Sequence, residues 1–244
     1  PCVLCNNRLK FGYFLDRAIE LGFEKIATGH YATVRQDPQT GRYVVYRGAD
    51  SQKDQSYMLH GLTQRQLSHV LLPLGEMTKP QVRQAGEAMG LKVAGKRDSQ
   101  DICFIPDGDD MSYLKSRGIV PRPGRFVDRQ GRDYGPHQGF EKYTVGQRRG
   151  LDIAYGSRIY VVEKQPDGNV VIGPNEALFS RRVWVKEVNY IPFETVDRPI
   201  RVSAKLRYSP QSAPCTLYPE PEGCQLLFDT PQRAVTAGQS AVFY

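Results

Sequence analysis

Apolar residues change their spacing partway along the chain, and this change limits the folds open to it. Early on, Phe11, Phe14, Leu15, Ala18 and Ile19 recur at helical intervals, with Gly22 as a C-terminal stop. From Arg158 the pattern is of short strands at 159–162, 170–172, 183–188, 202–206, 226–228 and 241–243, divided by turns such as Pro166-Asp167-Gly168-Asn169. A helix-bearing layer followed by strands alone implies α/β plus β, with the β part a barrel or sandwich. At 244 residues the chain suits two or three compact units. The breaks fall near residues 107 and 175, giving units of 1–107, 108–175 and 176–244.

Lys25-Ile26-Ala27-Thr28-Gly29-His30 reads as a short buried strand ending in glycine, the end at which α/β sheets bind ligands, or as a turn into a hairpin. Segments 31–35 and 43–47 are strand-like around Asp37-Pro38-Gln39-Thr40-Gly41, which predicts a hairpin. A helical stretch is expected from Lys53-Asp54-Gln55 through Leu62, a second from Thr63, and a third with Thr78 as cap, Pro80 in its first turn and Gly90 as its stop. A strand is expected after Leu91, and Asp109 can cap a short helix through Tyr113 and Leu114. Residues 118–150 are rich in Gly, Pro and Arg and poor in apolar positions, so the central unit is expected to lean on its neighbours for a core. Arg148-Arg149, between glycines, could meet phosphate or serve as a solvated basic loop.

Lys and Arg number 33 against 26 Asp and Glu, a formal net charge of +7 that suits an anionic partner. No apolar run approaches the roughly 20 residues of a membrane helix, so no membrane role is expected. Five cysteines in 244 residues do not make a secreted disulfide scaffold, which favours a reducing, cytoplasmic setting with working thiols. The chain opens on Pro1 rather than Met, as a piece of a longer protein would.

Cys2 and Cys5 form a Cys-x-x-Cys pair, and Cys103 lies far along in Asp101-Ile102-Cys103-Phe104. Spacing leaves three chemical readings open: a zinc or iron–sulfur site using Cys2, Cys5 and Cys103, a Cys2–Cys5 redox dithiol, or a nucleophile served by a distant sulfur carrier. With the helix expected from Asn6, Cys5 would sit at its N-terminus, where the macrodipole favours a thiolate. Of the four histidines, His30 at the strand end is best placed for function. Cys215 and Cys224, flanking a Pro- and Glu-rich turn, read as packing or surface thiols.

The ordered stretches Pro-Cys-Val-Leu-Cys-Asn, Ala-Thr-Gly-His-Tyr-Ala, Lys-Asp-Gln-Ser-Tyr and Asp-Ile-Cys-Phe-Ile resemble the tRNA-specific 2-thiouridylase family. Leu206-Arg207-Tyr208 and the C-terminal Gly-Gln-Ser-Ala-Val-Phe-Tyr extend the likeness over essentially the whole chain. The resemblance implies an adenine-nucleotide-hydrolase-like α/β domain in truncated form, a small central domain and a C-terminal β-barrel that contacts tRNA. It implies ATP-dependent, Mg-assisted exchange of the 2-oxygen of the wobble uridine for sulfur. ATP would adenylate the carbonyl oxygen, turning a poor leaving group into a good one.

By motif, Cys103 would carry persulfide sulfur and Cys5 would be the partner nucleophile. Gly29 would contact nucleotide. His30, Lys53, Asp54, Gln55, Arg207, Tyr208 and Gln239 would meet tRNA, and Pro1 and Cys2 would lie near the target base. A cysteine desulfurase or sulfur-relay protein would supply sulfur. Two departures bear on these expectations. The family's Ser-Gly-Gly-x-Asp-Ser phosphate loop is not among the 244 residues, so this chain alone is expected to bind ATP poorly and act as a non-catalytic tRNA-binding fragment. Cys2 stands where some relatives have Asp, which keeps the cluster reading open.

Overall fold

The structure, a computed structural model, describes residues 2–95, 102–105, 108–209 and 211–244. One helix opens the chain, as an α turn Cys2–Leu4, a π-helical segment Cys5–Phe14 and an α segment Leu15–Glu20. The π segment widens the turn so that each N–H reaches the carbonyl five residues back. Gly12 suits that geometry, because a Cβ there would press to 2.9 Å from the Asn7 carbonyl oxygen.

This helix packs on a small parallel pair, β1 (Ile26–Ala27), followed by the hairpin β2 (Ala32–Gln36) and β3 (Tyr43–Arg47), and then β4 (Val70–Leu71). Ile26 pairs with Val70 in parallel register, and Ala32 with Arg47 in antiparallel register. Phe11, Leu15, Ile26, Leu59, Leu62, Leu67 and Val70 form the core. Fully burying a side chain of this size contributes roughly 1.5–3 kcal/mol.

The expected helix from Lys53 to Leu62 reduces to a 3-10 turn, Ser56–Leu59, because Asp54 and Gln55 spend their side chains on tertiary partners. The next two helices, Gln64–Ser68 and Lys79–Ala88, start where expected, each closed by a reciprocal capping box, Thr63 with Gln66 and Thr78 with Gln81. Among the described residues no strand directly follows Leu91. Residues 92–95 form turns, and the remainder of that expected strand up to residue 101 lies outside the described residues.

Asp109 accepts from Ser112 N and caps the helix Asp110–Ser116 as expected. Beyond it, β5 (Gly124–Val127), β6 (Asp133–His137), β7 (Tyr160–Lys164) and β8 (Val170–Gly173) form one sheet in the order β6-β5-β8-β7. The expectation that this unit lacks its own core is overturned. Phe126, Tyr143, Leu151, Ile159, Val161, Val170 and Ile172 pack together, with Tyr134, Phe140 and Tyr155 against them. Five large aromatic side chains and the β7–β8 hairpin, whose strands read by pattern as part of the barrel run, supply the volume that a sparse apolar count hid.

The last unit holds β9 (Phe179–Lys186), β10 (Ile200–Lys205), β11 (Ala213–Glu220), β12 (Gly223–Arg233) and β13 (Val242–Phe243), ordered β13-β10-β11-β12-β9. The sequence pattern missed β11, whose Pro214 and Pro219 imitate turn residues. The sheet curls around Val183, Cys215, Leu217, Cys224, Leu226 and Phe228. Its two edges, β9 and β13, border a cavity of about 1410 Å³ lined by Val202, Leu206 and Trp184 among others. No described helix is long and apolar enough to cross a membrane.

Candidate functional site

The opening helix carries Cys2, exposed, and Cys5, half-buried, followed by Asn6 with only 3% of its surface accessible. The helix starts at least one turn earlier than its apolar spacing implies, so Cys5 begins the π segment instead of the helix itself. Asn6 Oδ1 lies 3.2 Å from His30 Nε2, and His30 Nδ1 lies 2.8 Å from Thr28 Oγ1. The amide oxygen can only accept, so Nε2 carries the ring proton and Nδ1 accepts from the Thr28 hydroxyl. Asn6 Nδ2 continues the chain by donating to the Met58 carbonyl at 3.5 Å. This network ties the residue after Cys5 to the end of β1.

His30 is buried, tilted against the Phe11 ring. Burial, reinforced by the Lys10 charge, lowers its pKa from 6.5 to about 4, so it is neutral at physiological pH. Gly29 beside it is exposed, and a Cβ there would meet only Leu74 Cδ1, at 3.5 Å. The strand end therefore has open space on its outer side, which fits close approach of a flat ligand to the backbone.

Cys103 is exposed within the described stretch 102–105, held by the buried Ile105 and by the Phe104 ring 5.4 Å from that of Tyr113. Cys2, Cys5 and Cys103 are all free thiols. Among the described residues no three His, Cys, Asp or Glu side chains are grouped to hold a metal ion. All three of these cysteines are described, so the iron–sulfur expectation finds no ligand set. Cys215 and Cys224 lie on neighbouring strands in the barrel core, where burial pushes both thiols up to about 11.

A thiol titration of the native protein near pH 8 is therefore expected to count Cys2 and Cys103 promptly and Cys5 more slowly. Cys215 and Cys224 should appear only on denaturation. Rapid labelling of either core cysteine in folded protein would contradict this packing.

The other residues named from the sequence fall into two groups. Asp54 is buried, its carboxylate accepting from Gly48 N, Ser56 N and Ser56 Oγ and standing 3.5 Å from Lys205 Nζ. Gln55 Oε1 accepts from Tyr31 N, and Tyr208 Oη donates to the Asp54 carbonyl at 3.3 Å. One Arg207 nitrogen donates to the carbonyls of Arg233 and Ala234. Asp54 and Tyr208 join the first unit to the barrel, Arg207 braces the barrel, and Gln55 braces the first unit. By contrast Gln239 is exposed on a turn, Lys53 is half-buried, and Pro1 lies outside the described residues. Sequence reasoning passed over Asn6, Ser56, Lys205 and Tyr244, because a polar residue signals a buried role only once its partners are known.

Comparison with known proteins adds three domain matches in the same order along the chain. Residues 1–107 match the tRNA methyl transferase HUP domain, 112–173 the tRNA methyl transferase PRC-barrel domain, and 180–244 the aminomethyltransferase beta-barrel domain. The chain is similar over its full length to proteins named tRNA-specific 2-thiouridylase MnmA. That of Pelotomaculum thermopropionicum is 47% identical over 246 residues, covering 100% of this chain and 67% of the relative. That of Heliobacterium modesticaldum is 47% identical with 65% of the relative covered, and that of Acetivibrio thermocellus is 44% identical with 69% covered. The chain thus spans about two thirds of the length of these relatives. With three domain matches in sequence and this identity throughout, the chain belongs to the tRNA-specific 2-thiouridylase family.

Proposed function

We propose that the protein containing this chain is a tRNA-uridine 2-sulfurtransferase that uses ATP to replace the 2-oxygen of the wobble uridine with sulfur. The observation that carries the reading is 47% identity to two proteins named 2-thiouridylase in alignments that cover the whole chain. In this reading residues 1–107 hold nucleotide and target base, 108–175 link, and 176–244 grip tRNA. Gly29 leaves its backbone open toward the nucleotide, and Mg accompanies ATP. The phosphate-binding Ser-Gly-Gly-x-Asp-Ser loop is not among these 244 residues, so this chain brings to the site Gly29 on the nucleotide side together with the base and thiol groups.

The thiols have separable tasks. A donor protein of the cysteine desulfurase or sulfur-relay class leaves a persulfide on Cys103. Cys5 thiolate attacks the inner sulfur of that persulfide, forming a Cys5–Cys103 disulfide and expelling hydrosulfide. Hydrosulfide adds at C2 of the adenylated uridine, AMP departs with the former carbonyl oxygen, and the lost proton goes to solvent. A dithiol or two monothiols then reduce the disulfide, returning two electrons and restoring both cysteines. His30 stays neutral and holds Asn6, and through it the turn that begins at Cys5.

Full-length protein with ATP, a persulfide donor and unmodified tRNA is expected to form 2-thiouridine, detected by nucleoside mass spectrometry, and to form none without ATP. Thiolation that proceeds equally without ATP would remove the adenylation step from the proposal. Binding of tRNA should weaken steeply with salt, since phosphate contacts release counterions.

A further inference from the structure

The first unit and the barrel meet at a buried polar cluster. Lys205 and Asp54 have side chains only 3% and 5% exposed, and they face each other at 3.5 Å across the boundary. Ser56 Oγ donates to Asp54 Oδ2 at 3.0 Å and contacts the Tyr244 hydroxyl at 3.1 Å. Tyr244 also lies under Arg47, whose guanidinium carbon is 3.9 Å from the ring centre, and its ring centre is 5.4 Å from Lys205 Nζ. Tyr57 Oη donates to the Ser240 carbonyl at 2.9 Å, and Tyr208 Oη to the Asp54 carbonyl. In the barrel, Lys205 stands opposite Val242 in the β10–β13 register, next to the segment that carries Tyr244.

An ammonium and a carboxylate removed from water attract strongly at short range and resist separation, because parting them leaves two unpaired buried charges. Such pairs are weak sources of net stability, and in some proteins they are kept because they select one arrangement. We infer that Lys205 is a positioning residue: its pairing with Asp54, backed by Ser56 and Tyr244, fixes the barrel in one orientation on the first unit. The two surfaces thereby present tRNA with a single spacing. Asp54 then acts through Lys205 instead of touching RNA itself. The inference rests on tRNA being the ligand for its functional consequence, but the docking of the two units does not depend on that reading.

Full-length protein carrying Lys205→Met, Lys205→Arg, Asp54→Asn or both Lys205→Met and Asp54→Asn would be followed by hydrogen–deuterium exchange and by tRNA binding. Lys205→Met is expected to speed exchange at 53–57 and 240–244 while leaving the separate core of the central unit, 124–173, unchanged. It should weaken tRNA binding roughly tenfold or more, and Lys205→Arg should recover most of that loss. The double variant should lose less than the sum of the single losses, because no lone charge remains buried. The inference is overturned if Lys205→Met leaves exchange at the boundary unchanged, or if exchange rises equally in all three cores, as in global unfolding. Wild-type protein that does not bind tRNA, with Lys205→Met still raising exchange only at the boundary, would sink the tRNA reading and leave the docking role standing.

Discussion

Serine at position 103 is expected to lower 2-thiouridine formation by about a thousandfold or more, while tRNA affinity stays within a factor of about two. A hydroxyl cannot store a sulfane sulfur, and its oxygen is not attacked by a thiolate to release hydrosulfide. Cys103 is exposed on a stretch whose Ile105 is buried, so the substitution removes the sulfur without disturbing a core. Serine at position 5 should give a different chemical result under the proposed scheme. Loading of Cys103 would proceed, but sulfur release would stop, leaving protein one sulfur atom heavier by intact mass once the donor has loaded it. Retention of full activity by the Cys103→Ser protein would remove the carrier role. Turnover by Cys5→Ser at the normal rate would instead favour direct attack by the persulfide on the activated base.

Acidification is expected to destabilise the first unit through His30. Its pKa falls from 6.5 to about 4 on folding, so the unfolded chain takes up a proton that the folded chain refuses. Above pH 6.5 the group contributes no pH dependence. Between 6.5 and about 4 stability falls, by roughly 3 kcal/mol in total, and below that the contribution levels off. Protonation would place a second ring proton at Nδ1, facing the Thr28 hydroxyl that now donates to it.

His60 is also lowered by burial and acts in the same direction, so a comparison of variants is needed to isolate His30. Denaturant unfolding of wild type and His30→Ala at pH 8 and pH 4.5 provides it. The variant should be weaker at pH 8 by about 1–3 kcal/mol, since Asn6 loses a buried partner. It should also lose less on acidification than wild type. Equal acid losses in the two proteins would show that the His30 ring is accessible to protons in the folded state.

The family is legible in the sequence because several short motifs occur in order, and three of those stretches carry the buried polar residues Asn6, His30, Asp54 and Ser56. Their roles are less legible. Lys-Asp-Gln and Leu-Arg-Tyr read as RNA-contacting strings, yet Asp54 and Tyr208 hold one another across the unit boundary, and Arg207 binds backbone carbonyls in its own barrel. A charged residue looks the same in sequence whether it faces phosphate or a buried counter-charge. The core of the central unit escapes a count of apolar residues for a related reason. Aromatic side chains in a Gly- and Pro-rich run contribute far more volume than their number suggests.

Features closed by contacts within a few residues are dictated locally. The Thr63 and Thr78 capping boxes, the Asp109 cap and the turn around Asp37 fall where residue type and spacing place them. Each needs only donors and acceptors two to four positions apart, so none depends on finding a distant partner. Other features exist only in the assembled fold: His30 holds Asn6 from 24 residues away, β11 forms despite two prolines, and Lys205 finds Asp54 inside the boundary between units. Those contacts exist because burial makes an unpaired polar group costly, and burial is a property of the whole fold, which no local stretch of sequence contains.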